Sequence, residues 1–400
     1  MAEGAARRRL LDRPGVLLVH WAFPPTTGGV ESHLADAARL LSDKGIRVMV
    51  VTGEPAPLCA SSYDVLSTPL LELDRIRDPR LRDRSYVDAL ESLLAGLLVE
   101  GGFRVVHGHN LHHFAPEPAL VLDRLRDRLP FRLYHTFHET WPDVLHDRPV
   151  YRRWTGNYAV SRFVQGECWR RLGFRPRLAR LGVDVQRFRV TREVFAGSGI
   201  PVILHPARLL PWKGVHVSVR MLAALAGRGI RATLIITDSQ RIADWKQELA
   251  GYRREVVRLV YTLGLNRWVE FRPASFDDMP ALYESADVVV YPTVEEEPYG
   301  LVPLEAMSSR RPIVASRCGG IPETVVDDCT GFLVEPNDLE ALTDRVALLI
   351  SDPALSRRMG AEGRCRVVRS FNVRRYVTWL ALQYGFAQAA RGGNAADTPG

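Results

Sequence analysis

Lysine is almost missing from this chain. Of its 53 basic residues only Lys44, Lys213 and Lys246 are lysines, and the rest are arginines. Arginine abundance reflects base composition more than chemistry, so a lysine at a motif position calls for a specific reason. Cysteine is scarce too. The five cysteines, at 59, 168, 318, 329 and 365, form no CxxC pair and no His/Cys cluster. That excludes a disulfide framework and a structural zinc site, and predicts reduced, mostly buried thiols. No apolar run approaches the roughly 18 residues that span a bilayer. The opening MAEGAARRRLLDRPGVLLVHW has arginines and a short apolar stretch but no small-residue cleavage site, so it reads as a first strand rather than a leader. A cytoplasmic protein is expected, with peripheral contact at the inner face of a membrane left open. There is no zinc finger, RNA-binding aromatic signature or basic helical arm, and no nucleic-acid partner is expected. The net charge of +7 could attract phosphates or anionic surfaces, but acids interleave with the arginines in DRIRDPRLRDR (74–84), as on a mixed solvated face.

What is present is the make-up of an ordinary globular protein, 46% hydrophobic and 25% charged. Four hundred residues exceed the usual size of one domain, so two are expected. Short apolar runs alternate with amphipathic stretches, which points to α/β architecture with parallel strands. The first series of strands is GVLLVH (15–20), IRVMVVT (46–52), RVVHGH (104–109), FRLYHTF (131–137) and GNYAVS (156–161). The second is PVILHPA (201–207), ATLIIT (232–237), WVEFR (268–272), ADVVVYP (286–292), RPIVAS (311–316) and GFLVEP (331–336). Between the first two strands, 30–45 is apolar at helical spacing and ends at Gly45, a C-cap residue. Residues 55–85 read as a long surface excursion, and helices are expected over 339–351 and about 372–390. The organisation predicted is a first domain over 1–188, a second over 189–368, a terminal helix over 369–390 and a disordered tail over 391–400.

Open parallel sheets bind ligands at the carboxyl ends of their strands, and the chemistry-bearing residues follow strands. Gly28 and Gly29 sit in a turn ahead of a helix, where backbone N–H groups can approach an anion. In HPARLLPWKG, Arg208 and Lys213 follow a strand at once and suit a diphosphate, the arginine forking onto two oxygens and the lysine acting as a point charge. A solvated basic turn is the plainer reading. In EEEPYGLVPLEAM (295–307), Glu297 lies in a loop and Glu305 about one turn into a helix expected from Leu301, with Pro303 in its first turn. The N–H groups after Gly300 would face a phosphate. Two carboxylates so placed can each hold a pair of hydroxyls, although acids are also favoured near a helix start by its dipole. His107, His109, His135 and His138 end two strands. A metal lacks a completing acid set there, and contact with a sugar hydroxyl or plain burial remain open.

These residues, taken together, resemble a known pattern. EEEPYGLVPLEAM followed by PIVASRCGGIPETVVDDCTGFLVEPND, with the Gly-Gly turn, HTFHE, GVD (182–184) and ARLLPWKG in order, is similar to the retaining glycosyltransferases of family 4, the group 1 type. The resemblance covers nearly the whole chain. It implies a GT-B fold, with two Rossmann-like doubly wound parallel-sheet domains facing across a cleft, the first for the acceptor and the second for the nucleotide sugar, and a last helix returning to the first. It gives Glu305 the nucleotide ribose, Glu297 the donor-sugar hydroxyls, and the backbone at Gly300 and Leu301 the phosphate or sugar. Arg208 and Lys213 would neutralise the diphosphate with Gly28 and Gly29. His138 would lie near the donor sugar, with His109 as a possible sugar or acceptor contact. No metal and no cofactor are implied. The partners are a nucleotide diphosphate sugar, uridine-linked by expectation, and a hydroxyl acceptor that is a small molecule or a lipid-linked sugar. The pattern departs at Leu181, where asparagine commonly precedes GVD, at Pro273, which replaces a glycine near the base, and at IITDSQ (235–240). A sugar-nucleotide epimerase on the same fold and a non-catalytic nucleotide-sugar binder are the alternatives.

Overall fold

The computed structural model describes residues 14–55, 62–142, 149–195, 199–238 and 249–387. Within these the chain forms two compact units. One comprises the N-terminal residues to Thr26, Val30–Arg180 and the segment from Val373 onward; the other comprises Thr27–Gly29 and Leu181–Asn372. The expected tail over 391–400 lies outside the described residues, as do 56–61 of the excursion at 55–85 and residues 143–148.

The first unit is built on a seven-stranded, all-parallel sheet. Its strands are β1 Gly15–Val19, β2 Arg47–Thr52, β3 Asp64–Ser67, β4 Val105–His109, β5 Arg132–Phe137, β6 Gly156–Ala159 and β7 Arg177–Leu178, in the order β3-β2-β1-β4-β5-β6-β7. β1, GVLLV, is buried at all five positions, as a strand covered on both faces must be. The helix Gly29–Asp43 ends as its pattern predicts, with Gly45 at φ 77° and its N–H on the Ser42 carbonyl. The helix Val373–Gln383 and the residues just after it pack against β4, β5 and β6 of this sheet. The Tyr134 hydroxyl donates to the Gln383 carbonyl at 2.6 Å, and Arg132 reaches the Tyr384 carbonyl at 3.1 Å.

The second unit carries a six-stranded parallel sheet. Its strands are β8 Val202–His205, β9 Thr233–Thr237, β10 Val269–Arg272, β11 Val288–Tyr291, β12 Ile313–Ser316 and β13 Phe332–Val334, in the order β10-β9-β8-β11-β12-β13. Its core joins Ile203, Leu234, Val288, Val290 and Val314 of the strands to Val219, Leu222, Val346 and Leu349 of the helices. Asp287 ties the entering chain to this sheet, accepting N–H bonds from Val202 at 2.9 Å and Phe195 at 2.8 Å.

All eleven expected strands are present. The excursion at 55–85 is more structured than its weak periodicity predicts: β3 pairs with β2 there, and short helical turns at Pro69–Leu71, Leu73–Arg77 and Pro79–Leu81 follow. These pieces are too short and too exposed to impose a period, and side-chain caps from Thr68 and Asp78 hold two of them. Cysteine burial is mixed: Cys168 and Cys318 are buried, Cys329 and Cys365 exposed.

Each sheet reverses its strand order once, between β1 and β4 in the first unit and between β8 and β11 in the second. In open α/β sheets these switch points are where connections leave in opposite directions and a crevice opens at the strand ends. Gly214, behind β8, shows how tightly the second one is built. It lies at φ 72°, and a Cβ there would stand 1.9 Å from the Pro292 carbonyl oxygen. Gly214→Ala should therefore cost at least about 2 kcal/mol. Gly96→Ala, in mid-helix with nothing within 4 Å of its added Cβ, should gain about 0.5–1 kcal/mol. Urea unfolding of the two variants checks both.

Candidate functional site

The switch point of the second unit gathers most of the motif residues. β8 leads into Arg208, then into the short turn Pro211–Lys213 and the helix Val215–Gly227. β11 leads through Pro292 and Thr293 into the loop of Glu297, and the helix Leu301–Ser308 follows. The two connections are laced together: Val294 N–H and the Thr293 hydroxyl both donate to the Trp212 carbonyl, at 2.8 and 2.6 Å.

Lys213 and Glu297 meet across this lacing. Lys213 Nζ lies 2.5 Å from Glu297 Oε2 and 2.8 Å from the Tyr291 hydroxyl, which donates to the same carboxylate oxygen at 2.6 Å. The two charged side chains keep only 10% and 13% of their surface. Burial works to raise the Glu297 carboxyl. The Lys213 ammonium, the Tyr291 hydrogen bond and the nearby charge of Arg208 outweigh it, so the group lies below the usual carboxylate range. Burial, reinforced by the Glu297 charge, pushes the Tyr291 phenol far up, and it stays a protonated donor. Arg208 is half-buried, and its guanidinium makes no hydrogen bond among the described residues.

Glu305 sits one turn into the helix Leu301–Ser308 and receives a 2.8 Å hydrogen bond from the Tyr283 hydroxyl. Tyr283 is itself fully buried, and burial followed by the Glu305 charge raises its phenol. The site thus holds two tyrosine–glutamate pairs, 291 with 297 and 283 with 305. Sequence reasoning missed both tyrosines, because one at a strand end and one in a short helix look like ordinary core aromatics.

The helix start has no side-chain cap, and Gly300 precedes it at φ 92°. Its first N–H groups carry the positive end of the dipole. The loop above is pinned by Gly319 and Gly320. The Gly320 N–H donates to the Glu297 carbonyl at 2.7 Å, and a Cβ on Gly319 would approach that carbonyl oxygen to 2.1 Å. The Tyr299 hydroxyl holds the Leu181 carbonyl at 2.5 Å, and Asp184 of the GVD segment accepts the N–H groups of Gln186 and Arg187. Gly28 and Gly29 stand at the head of the helix Gly29–Asp43 and belong, by packing, to the same compact unit as these residues.

At the switch point of the first unit the histidines are more numerous than the strand-end motifs suggest. Eight of the chain's eleven are buried here, at 20, 33, 107, 109, 112, 113, 135 and 138. Strand alternation sorts them. His107 and His109 share one face of β4, their rings stacked with centroids 4.4 Å apart. His135 points the other way from β5, toward His112, Phe137, Tyr151 and Trp154. His107 bonds the Tyr384 hydroxyl through Nδ1 and Thr136 Oγ1 through Nε2. His109 Nδ1 meets His138 Nε2 at 2.9 Å, while the His138 N–H donates to Asn110 Oδ1. Burial drives His107 down to about 3 and His109, His135 and His138 well below the ordinary value, with neighbouring histidines adding to it. Among the described residues no group of three or more histidines, cysteines or acids is arranged to hold a metal ion.

With this geometry in place, two family models match the chain. Residues 190–366 match the glycosyl transferases group 1 and residues 27–187 the glycosyltransferase family 4. The chain belongs to the group 1 glycosyltransferases. A GDP-mannose-dependent α-(1-6)-phosphatidylinositol monomannoside mannosyltransferase of Mycolicibacterium smegmatis is 32% identical over 382 residues, which cover 87% of this chain and 92% of the relative. A glycogen synthase of Mycobacterium tuberculosis is 25% identical over 92% of this chain and 94% of its own. The crystal structure of a glycosyltransferase from Rickettsia africae matches at a TM-score of 0.77 with 18% identity, covering 96% of this chain and 100% of that one. The fold is GT-B. In this glycosyltransferase Glu297 is held by Lys213 and Tyr291, and Glu305 by Tyr283.

Two measurements check the electrostatics. Removing one partner of a buried pair leaves an uncompensated charge, so Lys213→Met should cost about 3 kcal/mol or more. The double variant Lys213→Met/Glu297→Gln should cost less than that single one, as a urea double-mutant cycle reads. The buried histidines give the second. Unfolded, each titrates near 6.5, whereas folded His107 stays neutral down to about 3. Between those limits the unfolded chain binds more protons, so stability is complete above about pH 6.5 and falls as pH drops, by about 1.4 kcal/mol per pH unit per histidine. The melting temperature should fall between pH 7.5 and 5.5, with a shallower slope in His107→Gln.

Proposed function

We propose that this glycosyltransferase moves a sugar from a nucleotide diphosphate sugar to a hydroxyl acceptor with retention of configuration. The observation that carries the reading is the Lys213–Glu297 pair beside the uncapped start of the helix Leu301–Ser308. Glu297 is engaged by Lys213 and Tyr291, which suits a carboxylate that orients hydroxyls rather than one that attacks carbon as a nucleophile. Arg208, Lys213 and the N–H groups at Leu301 supply positive charge for a departing diphosphate. Charge from these sources allows transfer without a resident metal or cofactor. Glu305, with one oxygen on Tyr283, takes the ribose hydroxyls, and Gly300 the close approach of phosphate. On the other motifs, Gly28 and Gly29 offer amides to the diphosphate, His138 serves the donor sugar and His109 accompanies it. The transfer is a front-face substitution in which the leaving phosphate oxygen takes the acceptor's proton.

The donor proposed from the motifs is a uridine diphosphate sugar. The GDP-mannose dependence of the M. smegmatis relative favours a guanosine-linked donor as the second reading, and its acceptor name favours a lipid-linked hydroxyl. No helix among the described residues is long and apolar enough to cross a membrane.

A panel of uridine-, guanosine- and adenosine-linked sugars, read by melting temperature, should single out one donor. A donor at a hundred times its Kd adds about 2.7 kcal/mol of stability. Lys213→Ala and Glu297→Ala should each lower donor turnover at least about a hundredfold, as loss of a group stabilising transition-state charge does. Unchanged turnover in both would overturn the site. Chelator should leave the rate unaltered, and product NMR should show the donor's anomeric configuration.

A further inference from the structure

Behind His138 stands a second histidine whose orientation settles what His138 can offer. His109 ends β4, and its Nδ1 lies 2.9 Å from His138 Nε2, with the rings 5.2 Å apart and inclined by 32°. Both are buried, at 1% and 4% exposure. Burial and the surrounding histidines keep both neutral. A neutral imidazole has one N–H and one bare nitrogen, so one of the two facing nitrogens must donate and the other accept.

The far side of His109 decides which. His109 Nε2 is buried and has no hydrogen-bond partner. Were His109 to accept at Nδ1, its proton would sit on Nε2 as a stranded N–H, a rare state that costs about 1–3 kcal/mol. Donation from Nδ1 strands only a lone pair. His138 then accepts at Nε2 and must carry its own proton on Nδ1. That nitrogen makes no hydrogen bond among the described residues, while the His138 backbone N–H on Asn110 fixes where the side chain starts.

We propose that His109 is a positioning residue that holds His138 in the Nδ1-protonated form, so that His138 gives a hydrogen bond to a sugar hydroxyl oxygen and never accepts one. The claim rests on the reading of His138 as the residue that serves the donor sugar. It assigns His109 no contact of its own with the ligand.

The test uses the full chain labelled with ¹⁵N-histidine near pH 8. The His138 ring signals are those missing from His138→Gln. In the wild type they should show protonation at Nδ1. His109→Leu should shift them toward Nε2 protonation, and His109→Asn, whose amide can still donate, should restore the wild-type form. Turnover should follow. In His109→Leu kcat should fall about tenfold, the worth of one hydrogen bond, with the donor KM little changed, and His109→Asn should recover it. His138 protonated at Nε2 in the wild type would overturn the proposal, as would a His109→Leu spectrum identical to wild type. Should His109→Leu fail to fold, the wild-type and His109→Asn spectra decide. Full turnover in His138→Gln would instead sink the role of His138 itself, whatever the tautomer.

Discussion

The contact between Lys213 and Glu297 is the interaction on which the second unit's site depends. A buried charge is tolerated only with a partner and further hydrogen bonds. Here the partners come from separate connections, one leaving β8 and one leaving β11. Joining them sets the spacing of the two loops, and with it the distance from the lysine to the helix that carries Glu305. The glycines around the pair have the same logic. Gly214, Gly319 and Gly320 let backbone approach backbone where any side chain would collide. The pair fixes the chemistry and the glycines let the chain come near enough to make it.

The first unit solves its own problem with a different material. Its switch point holds four imidazoles, of His107, His109, His135 and His138, that burial keeps neutral, each both donor and acceptor, where charged groups could not be buried. Their value as a wall is directionality. The hydrogen bond between His109 and His138 couples the tautomers of those two rings, while Tyr384 and Thr136 hold the His107 ring and Asn110 holds the His138 backbone.

Much of this was legible from residues alone. The long valine- and isoleucine-rich strands declare themselves, because burial on both faces leaves no room for polar alternation. Lys213 stood out through rarity, and the spacing of Glu297 and Glu305 led to one helix and the loop before it. The edge strands β3 and β7 were not visible, since four and two half-exposed residues carry no period. Tyr291 and Tyr283 were hidden for another reason. Their role is set by which carboxylate lies opposite in three dimensions, and the sequence separations of 6 and 22 residues give no regular signal. The histidine layer was seen only as two pairs, because its members come from several chain segments that only the sheet order brings together.

The helix Val373–Gln383 packs into the first unit, and Tyr384, from just past it, reaches His107 in the histidine layer. During synthesis, a ribosome delivers residues in order, and domains fold as they emerge. The unit that contains β1 is therefore the one that finishes last. It waits, with Tyr134, Arg132 and His107 lacking their partners, until the whole intervening unit has been made. Its early strands must persist unfinished through roughly two hundred residues of translation, on the order of ten seconds or more at typical rates. The histidine layer becomes complete only when the closing helix arrives, after both members of the Lys213–Glu297 pair have already been made.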